Sequence, residues 1–222
     1  MSKRKLQRFE ECETFNNLFQ LGYFDLLSDF RMKGNWRKDY FKNDNPIVLE
    51  LGCGKGEYTV NLAIQNPSIN YIGIDSKGAR LWRGCRNSID NQLDNVAFVR
   101  THIEQIEQLF APGEISEIWI TFPDPQLRKE RKRLTCPRFL KHYRNILATD
   151  SLIHLKTDNI PLYDYTLRVI RSAGHKLLFH TNDLYGDDVQ DVASSIQTFY
   201  EKMFLEQGMK ITYLRFRLNH IE

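Results

Sequence analysis

The sequence predicts an α/β fold, a mainly parallel sheet of seven strands with helices on both faces. Three features carry that reading. Short β-rich runs recur from residue 46 onward, segments with apolar residues three and four apart separate most of them, and a glycine-rich turn follows the first run. The runs are PIVLELG (46–52), NYIGID (70–75), NVAFVR (95–100), EIWITF (117–122), SLIHLKT (151–157), HKLLFHT (175–181) and MKITYLRFRL (209–218).

The connecting helices carry their own punctuation. One opens near Glu57, directly after the glycines. Ser76 is placed to cap the next, in which Trp82, Cys85, Ile89 and Leu93 recur at helical spacing. Asp158 or Asn159, before Pro161, opens a further helix that closes at Gly174, and a last one ends at Gly208. The final run alternates sides (Ile211, Tyr213 and Arg215 against Thr212, Leu214 and Phe216), which permits an antiparallel insertion. Residues 1–45 read as a basic, aromatic extension packed against a main domain of residues 46–222. Within it Trp36, Tyr40 and Phe41, interleaved with Arg37 and Lys38, suit either base stacking or plain packing.

Composition narrows the function classes. The chain of 222 residues suits one α/β domain, and 41% apolar with 27% charged residues is ordinary globular composition. Its four cysteines stand far apart without a C-x-x-C pair or a histidine cluster, which argues against a zinc site or disulfide framework and fits a reducing cytosol. No secretory signal and no membrane-length apolar run is visible, so the expectation is a cytoplasmic protein without a membrane partner or a metal. The net charge of +3 is too small to announce a nucleic-acid partner. Placement says more. The cations gather at Lys3, Arg4, Lys5 and Arg8, and again in RKERKR, Arg128 to Arg133.

The turn after the first strand is ELGCGKGE, residues 50–57. Ligands bind beyond the carboxyl ends of such strands, and Gly52, Gly54 and Gly56 let the backbone come close to one. Glu57 stands where a dinucleotide fingerprint needs its last glycine, and no Walker loop is present. What remains is E-x-G-x-G-x-G, which resembles the first motif of class I S-adenosylmethionine-dependent methyltransferases. Glu50 suits the ammonium of a methionine moiety, directly or through water. Asp75, ending the next strand, suits ribose hydroxyls, although it also fits a cap on the following helix. His102 stands where many such folds place a group near adenine.

The fourth strand runs into WITFPDPQLRKERKRL. Pro123 and Pro125 restrict their neighbours and hold Asp124 in one orientation at the sheet edge, and basic residues follow at once. A rigid turn and a solvated face would explain either feature alone. Together with LELGCGKGE, YIGID, LKTDN and TFYEKMFLEQG they resemble the ordered motifs of bacterial tRNA (guanine-N7)-methyltransferases over residues 46–217.

That resemblance implies a Rossmann-like class I fold whose last strand is antiparallel, S-adenosylmethionine as the methyl donor, and N7 of a guanine in the tRNA variable loop as the acceptor. It implies donor contacts from Glu50, Gly52, Gly54, Gly56, Asp75, His102 and Asp124, with Asp124 the catalytic residue through orientation. Substrate contacts fall to Arg128, Asp158, Thr198 and Glu201, and RNA-backbone contacts to Lys129, Arg131, Lys132 and Arg133. Thr198 and Glu201 also match a helix capping box, and Asp158 an N-cap. Several positions depart from the family pattern: Gln126 replaces a common Trp, Arg128 a Lys, and His102 an acid. The alternatives are transfer to another RNA or a small molecule, a silent RNA-binding homologue and, more remotely, a nicotinamide-linked oxidoreductase. A monomer or homodimer is expected.

Overall fold

A computed structural model describes residues 3–22 and 24–219; the side chains of the basic Lys3, Arg4 and Lys5 lie outside the described residues. Its strands are β1 (Leu18–Gln20), β2 (Ile47–Leu51), β3 (Asn70–Asp75), β4 (Val96–Arg100), β5 (Ile115–Thr121), β6 (Leu147–Thr157), β7 (Lys176–Thr181) and β8 (Thr212–Arg217). The helices are α1 (Lys3–Cys12), α2 (Glu57–Gln65), α3 (Gly78–Asp90), α4 (Ile106–Leu109), α5 (Pro137–Arg144), α6 (Ile160–Ser172), α7 (Val192–Ser195) and α8 (Phe199–Glu206).

All strands lie in one sheet of order β1-β4-β3-β2-β5-β6-β8-β7. The seven expected runs are present, and β8 is antiparallel to both of its neighbours, β6 and β7. The sheet has eight strands rather than seven, because β1 extends the edge parallel to β4. Three residues are too few to show a strand's alternation, so this element left no period to read.

Strand order reverses at β2. The chain winds outward through β3 and β4, then returns to β5 on the other side of β2. Loops leaving β2 and β5 therefore diverge and open a crevice, the usual ligand position in such sheets. All five β2 residues are buried, as expected for a central parallel strand covered on both faces.

Two apolar layers make that cover. Leu49, Leu51, Ile72, Ile74, Ile118 and Ile120 pack on one side with Tyr143 of α5, while Val48, Tyr71, Phe98 and Trp119 pack on the other with Tyr58 and Leu81. The segment before residue 46 belongs to the same core. Trp36 is fully buried, donates from Nε1 to the Leu109 carbonyl at 3.0 Å, and meets the Phe19 ring edge-on at 5.0 Å. Tyr40 donates to the Val96 carbonyl at 2.9 Å, and Phe41 is buried. The packing reading of these aromatics is the one realised. On the other face α1 lies on α3, where Trp82 donates to Glu11 and Arg8 covers the indole at 4.6 Å.

Caps differ in detail from the sequence reading. Asn159, not Asp158, caps α6, its side chain accepting from the Leu162 amide at 2.9 Å. The α3 helix takes no side-chain cap from Ser76; Asp75 instead accepts from the Lys77 amide in the turn before it. Ile89 is 45% exposed, because the buried face of α3 runs through Leu81, Gly84, Cys85 and Ser88.

Candidate active site

The crevice begins with a loop whose backbone favours glycine at three positions. Gly52, Gly54 and Gly56 take φ of 75°, 57° and 69°, left-handed values that cost other residues strain. The two ends of the turn differ in surroundings. A side-chain carbon at Gly56 would fall 2.6 Å from the Phe98 ring, whereas one at Gly54 would meet nothing within 4 Å. Gly56 is thus glycine for packing, and at Gly54 no side chain stands between the backbone and the crevice.

Glu50 forms the floor. Its side chain is only 3% exposed; one oxygen accepts from the Thr59 amide at 2.8 Å and from the Thr59 hydroxyl, the other from Thr121. Burial pushes the carboxyl up to about 7 against these hydrogen bonds, which lower it. A cation brought beside Glu50 would offset the burial. Asp75 is also buried and ties the turn together, accepting from the Gly54 amide at 3.0 Å and the Lys77 amide at 2.8 Å.

Two adjoining cavities follow. One of about 160 Å³ is lined by Glu50, Gly52, Gly54, Thr121 and Thr198. The other, about 320 Å³, is lined by Asp75, Ser76, His102, Asp124 and Lys132. Gly52, Arg80 and Phe122 border both, so the cavities form one cleft across the switch point. This donor set fits S-adenosylmethionine: a carboxylate in the smaller cavity for the ammonium, an open glycine backbone between, and a second carboxylate at a strand end for the ribose. His102 is exposed at the mouth, and its side chain caps nothing.

Across the cleft, β5 ends in a strained turn. Phe122 and Gln126 have φ of 45° and 46°, an uncommon region for bulky side chains and one that gathers at functional sites. Pro123 therefore does not leave Phe122 extended, as its restriction on the preceding residue would suggest. Between them Asp124 is exposed, with Oδ1 accepting from the Gln126 amide at 3.0 Å. Its other oxygen has no hydrogen-bond partner among the described residues. The proline-flanked carboxylate is held by one hydrogen bond and presented to the cleft.

The basic run divides. Arg128, Lys129, Arg131 and Lys132 are exposed, and Lys132 borders the cleft. Arg133 is a correction to the expected RNA contacts: it is 5% exposed, donates to the Pro125 carbonyl, pairs with Glu130, and lies 4.3 Å over the Tyr165 ring. It staples the loop to α6.

The T-x-x-E pair also divides. Thr198 caps α8 from the cleft rim, while Glu201 is wholly buried, closing the capping box and pairing with Lys156 at 2.7 Å. Tyr185 donates to Glu201, and Lys156 donates to the Ala193 and Ile196 carbonyls. Glu201 thus ties the start of α8 to β6 and borders neither cavity. Glu57 adds a clasp, accepting from the Phe199 amide at 2.7 Å. Asp158 borders neither cavity, and its side chain has no partner among the described residues.

Sequence reasoning missed Thr59 and Thr121, the hydrogen-bond partners of Glu50, and Arg80 on the wall shared by the cavities. Arg80 alone had a usable signal, its place one turn beyond Asp75 on the helix bordering the glycine loop.

Comparison with known proteins identifies the family. A family model described as "Putative methyltransferase" matches residues 44–214. A tRNA (guanine-N(7)-)-methyltransferase of Christiangramia forsetii is 52% identical over 98% of this chain and 99% of its own length. One of Bacteroides fragilis is 47% identical over 98% of this chain and 87% of its own. Among solved structures, the 16S rRNA methyltransferase KamB superposes with a TM-score of 0.65 at 14% identity, covering 82% of this chain and 92% of that one. A variant 16S rRNA (adenine(1408)-N(1))-methyltransferase of Catenulisporales acidiphilia, solved with its cosubstrate SAM, gives 0.58 at 14% identity, with 85% and 92% covered. At such identities the structural likeness speaks for the fold. With the family match spanning most of the chain and the identity to curated relatives reaching 52%, the chain belongs to the tRNA (guanine-N(7)-)-methyltransferase family.

Proposed function

We propose that this chain transfers the methyl group of S-adenosylmethionine to N7 of a guanine in the variable loop of tRNA, in the cytoplasm. The observation that carries this reading is a pair of carboxylates on the two adjoining cavities of one cleft: a buried, hydrogen-bonded Glu50 in the smaller and an exposed, singly tethered Asp124 in the larger. Exposed cations follow Asp124 immediately.

S-adenosylmethionine, when bound, supplies an electrophilic methyl on a sulfonium. Glu50 faces the ammonium of the methionyl end, Gly52 and Gly54 bring backbone against the chain between, and Asp75 accepts from the ribose. Guanine N7 already presents its lone pair in the plane of the base, so no proton has to leave before attack. The protein's contribution is alignment and exclusion of water, which supply roughly 7–11 kcal/mol when reacting groups are well placed. Asp124, with Oδ1 fixed by Gln126, orients the guanine edge or the methionyl group through its other oxygen. Arg128, Lys129, Arg131 and Lys132 hold phosphates.

Incubation with labelled S-adenosylmethionine and unmodified tRNA transcript, followed by mapping of modified nucleosides, tests the reading. Label in 7-methylguanosine at one variable-loop site is expected. Label in another nucleoside, or donor binding with no label in any tRNA, would overturn it.

A further inference from the structure

Resting on that reading, we propose that the exposed face of α3 is a second track for the RNA backbone, so that the target base enters between two cationic rims. Lys77, Arg80 and Arg83 lie along this face, all exposed. None of the three has an ion-pair partner among the described residues, whereas Arg86, the next residue at the same spacing of three, is tied to Asp90 at 3.1 Å.

Three independent observations point to an anionic polymer. First, Lys77 and Arg80 stand at the positive end of the α3 dipole, whose opening turn contains no acid, and the Asp75 carboxylate just before it is already tied to the Gly54 and Lys77 amides. Second, Lys77 and Arg80 border the same cavity as Asp124 and Lys132, which sets the two rims on either side of one opening. Third, Lys55 of the glycine loop lies 5.1 and 5.2 Å from the rings of Phe199 and Tyr200 of α8, and Lys55 and Tyr200 border the smaller cavity together with Arg80. Those rings are 60% and 51% exposed, a surface suited to stacking an unpaired base beside a phosphate contact.

A small substrate needs no charge this far from the reacting atoms, since Arg83 borders neither cavity. A phosphodiester chain crossing the cleft reaches it naturally. The binding is electrostatic and independent of sequence.

The test is tRNA binding over a salt series for the wild type, R83Q, R80Q/R83Q and, as a reference for the other rim, R128Q/K129Q. Melting temperatures report on folding, and R83Q decides the question because Arg83 is clear of the donor cavities. Removing one phosphate contact should weaken binding several-fold at moderate salt and reduce the log–log salt slope by roughly 1, with a further loss in R80Q/R83Q. If R83Q and R80Q/R83Q keep the wild-type slope and affinity while R128Q/K129Q loses both, the α3 track is overturned and the tRNA reading stands. If the wild type itself shows no salt-dependent tRNA binding, both are overturned.

Discussion

The two walls of the cleft are built on opposite principles. On the donor side Glu50 and Asp75 are buried, and both oxygens of each carboxylate accept hydrogen bonds. On the acceptor side Asp124 is exposed with one tether, and Arg128, Lys129, Arg131 and Lys132 stand in solvent. The contrast suits the proposed ligands. A small donor of fixed shape rewards a preorganised cradle, while a polyanion rewards mobile surface charge that lowers its own repulsion on binding. Buried groups on one wall should therefore answer to stability and pH, and exposed groups on the other to salt.

The largest effect should come from Lys156, buried with Glu201 behind α8. Lys156→Met leaves a buried carboxylate without its cation and should cost about 3–5 kcal/mol in urea unfolding, while Lys156→Met/Glu201→Leu should recover most of it. If the double variant is stable, the T-x-x-E glutamate serves structure and its apolar substitute will do. A double variant no better than the single one would mean that Glu201 braces α8 in a way no apolar pair replaces.

Glu50 should give the next effect. Its folded pKa of about 7 lies above the ordinary 4.5, so the folded state holds more protons and stability falls as pH rises from about 4.5 to 7. Relative to Glu50→Gln, the donor-free wild type should lose up to about 3 kcal/mol over that window, read from urea midpoints. Donor affinity should run the other way and rise with pH through about 7, because the ammonium needs the ionised carboxylate. Titration calorimetry showing pH-independent donor affinity would remove Glu50 from the ammonium site.

Arg133 sharpens the comparison from within the basic run. Arg133→Gln should cost about 1–3 kcal/mol of stability through its lost charged hydrogen bonds and leave the salt slope of tRNA binding alone. Arg128→Gln should do the reverse, reducing the slope by roughly 1 with no change in melting. Equal slope losses in both would return Arg133 to the RNA surface.

The sequence made the donor wall legible because its signals are local. An acid and three glycines in one turn, with a second acid ending the next strand, are visible in order along the chain. The partners that brace Glu50 were not, since Thr121 is 71 residues away and meets it only once β2 and β5 pair. The basic run misled for the same reason. Six consecutive letters do not reveal that Arg133 folds back onto Tyr165 of α6 while its neighbours face water. Asp158 and Asn159 were both candidates to cap α6, and with the helix starting at Ile160 and Pro161 the cap position falls on Asn159. β1 was invisible because it is a strand only through β4.

The central claim is that the enzyme aligns its reactants and removes no proton. Single-turnover methyl transfer at saturating donor and tRNA, followed from pH 6.5 to 9 for the wild type and Asp124→Ala, tests it most directly. The account expects a flat wild-type profile and a parallel, flat profile for Asp124→Ala lowered by about 100-fold, the cost of a misplaced reactant. A wild-type rate rising tenfold per pH unit and a variant that loses this slope would contradict it, because Asp124 would then be acting as a base.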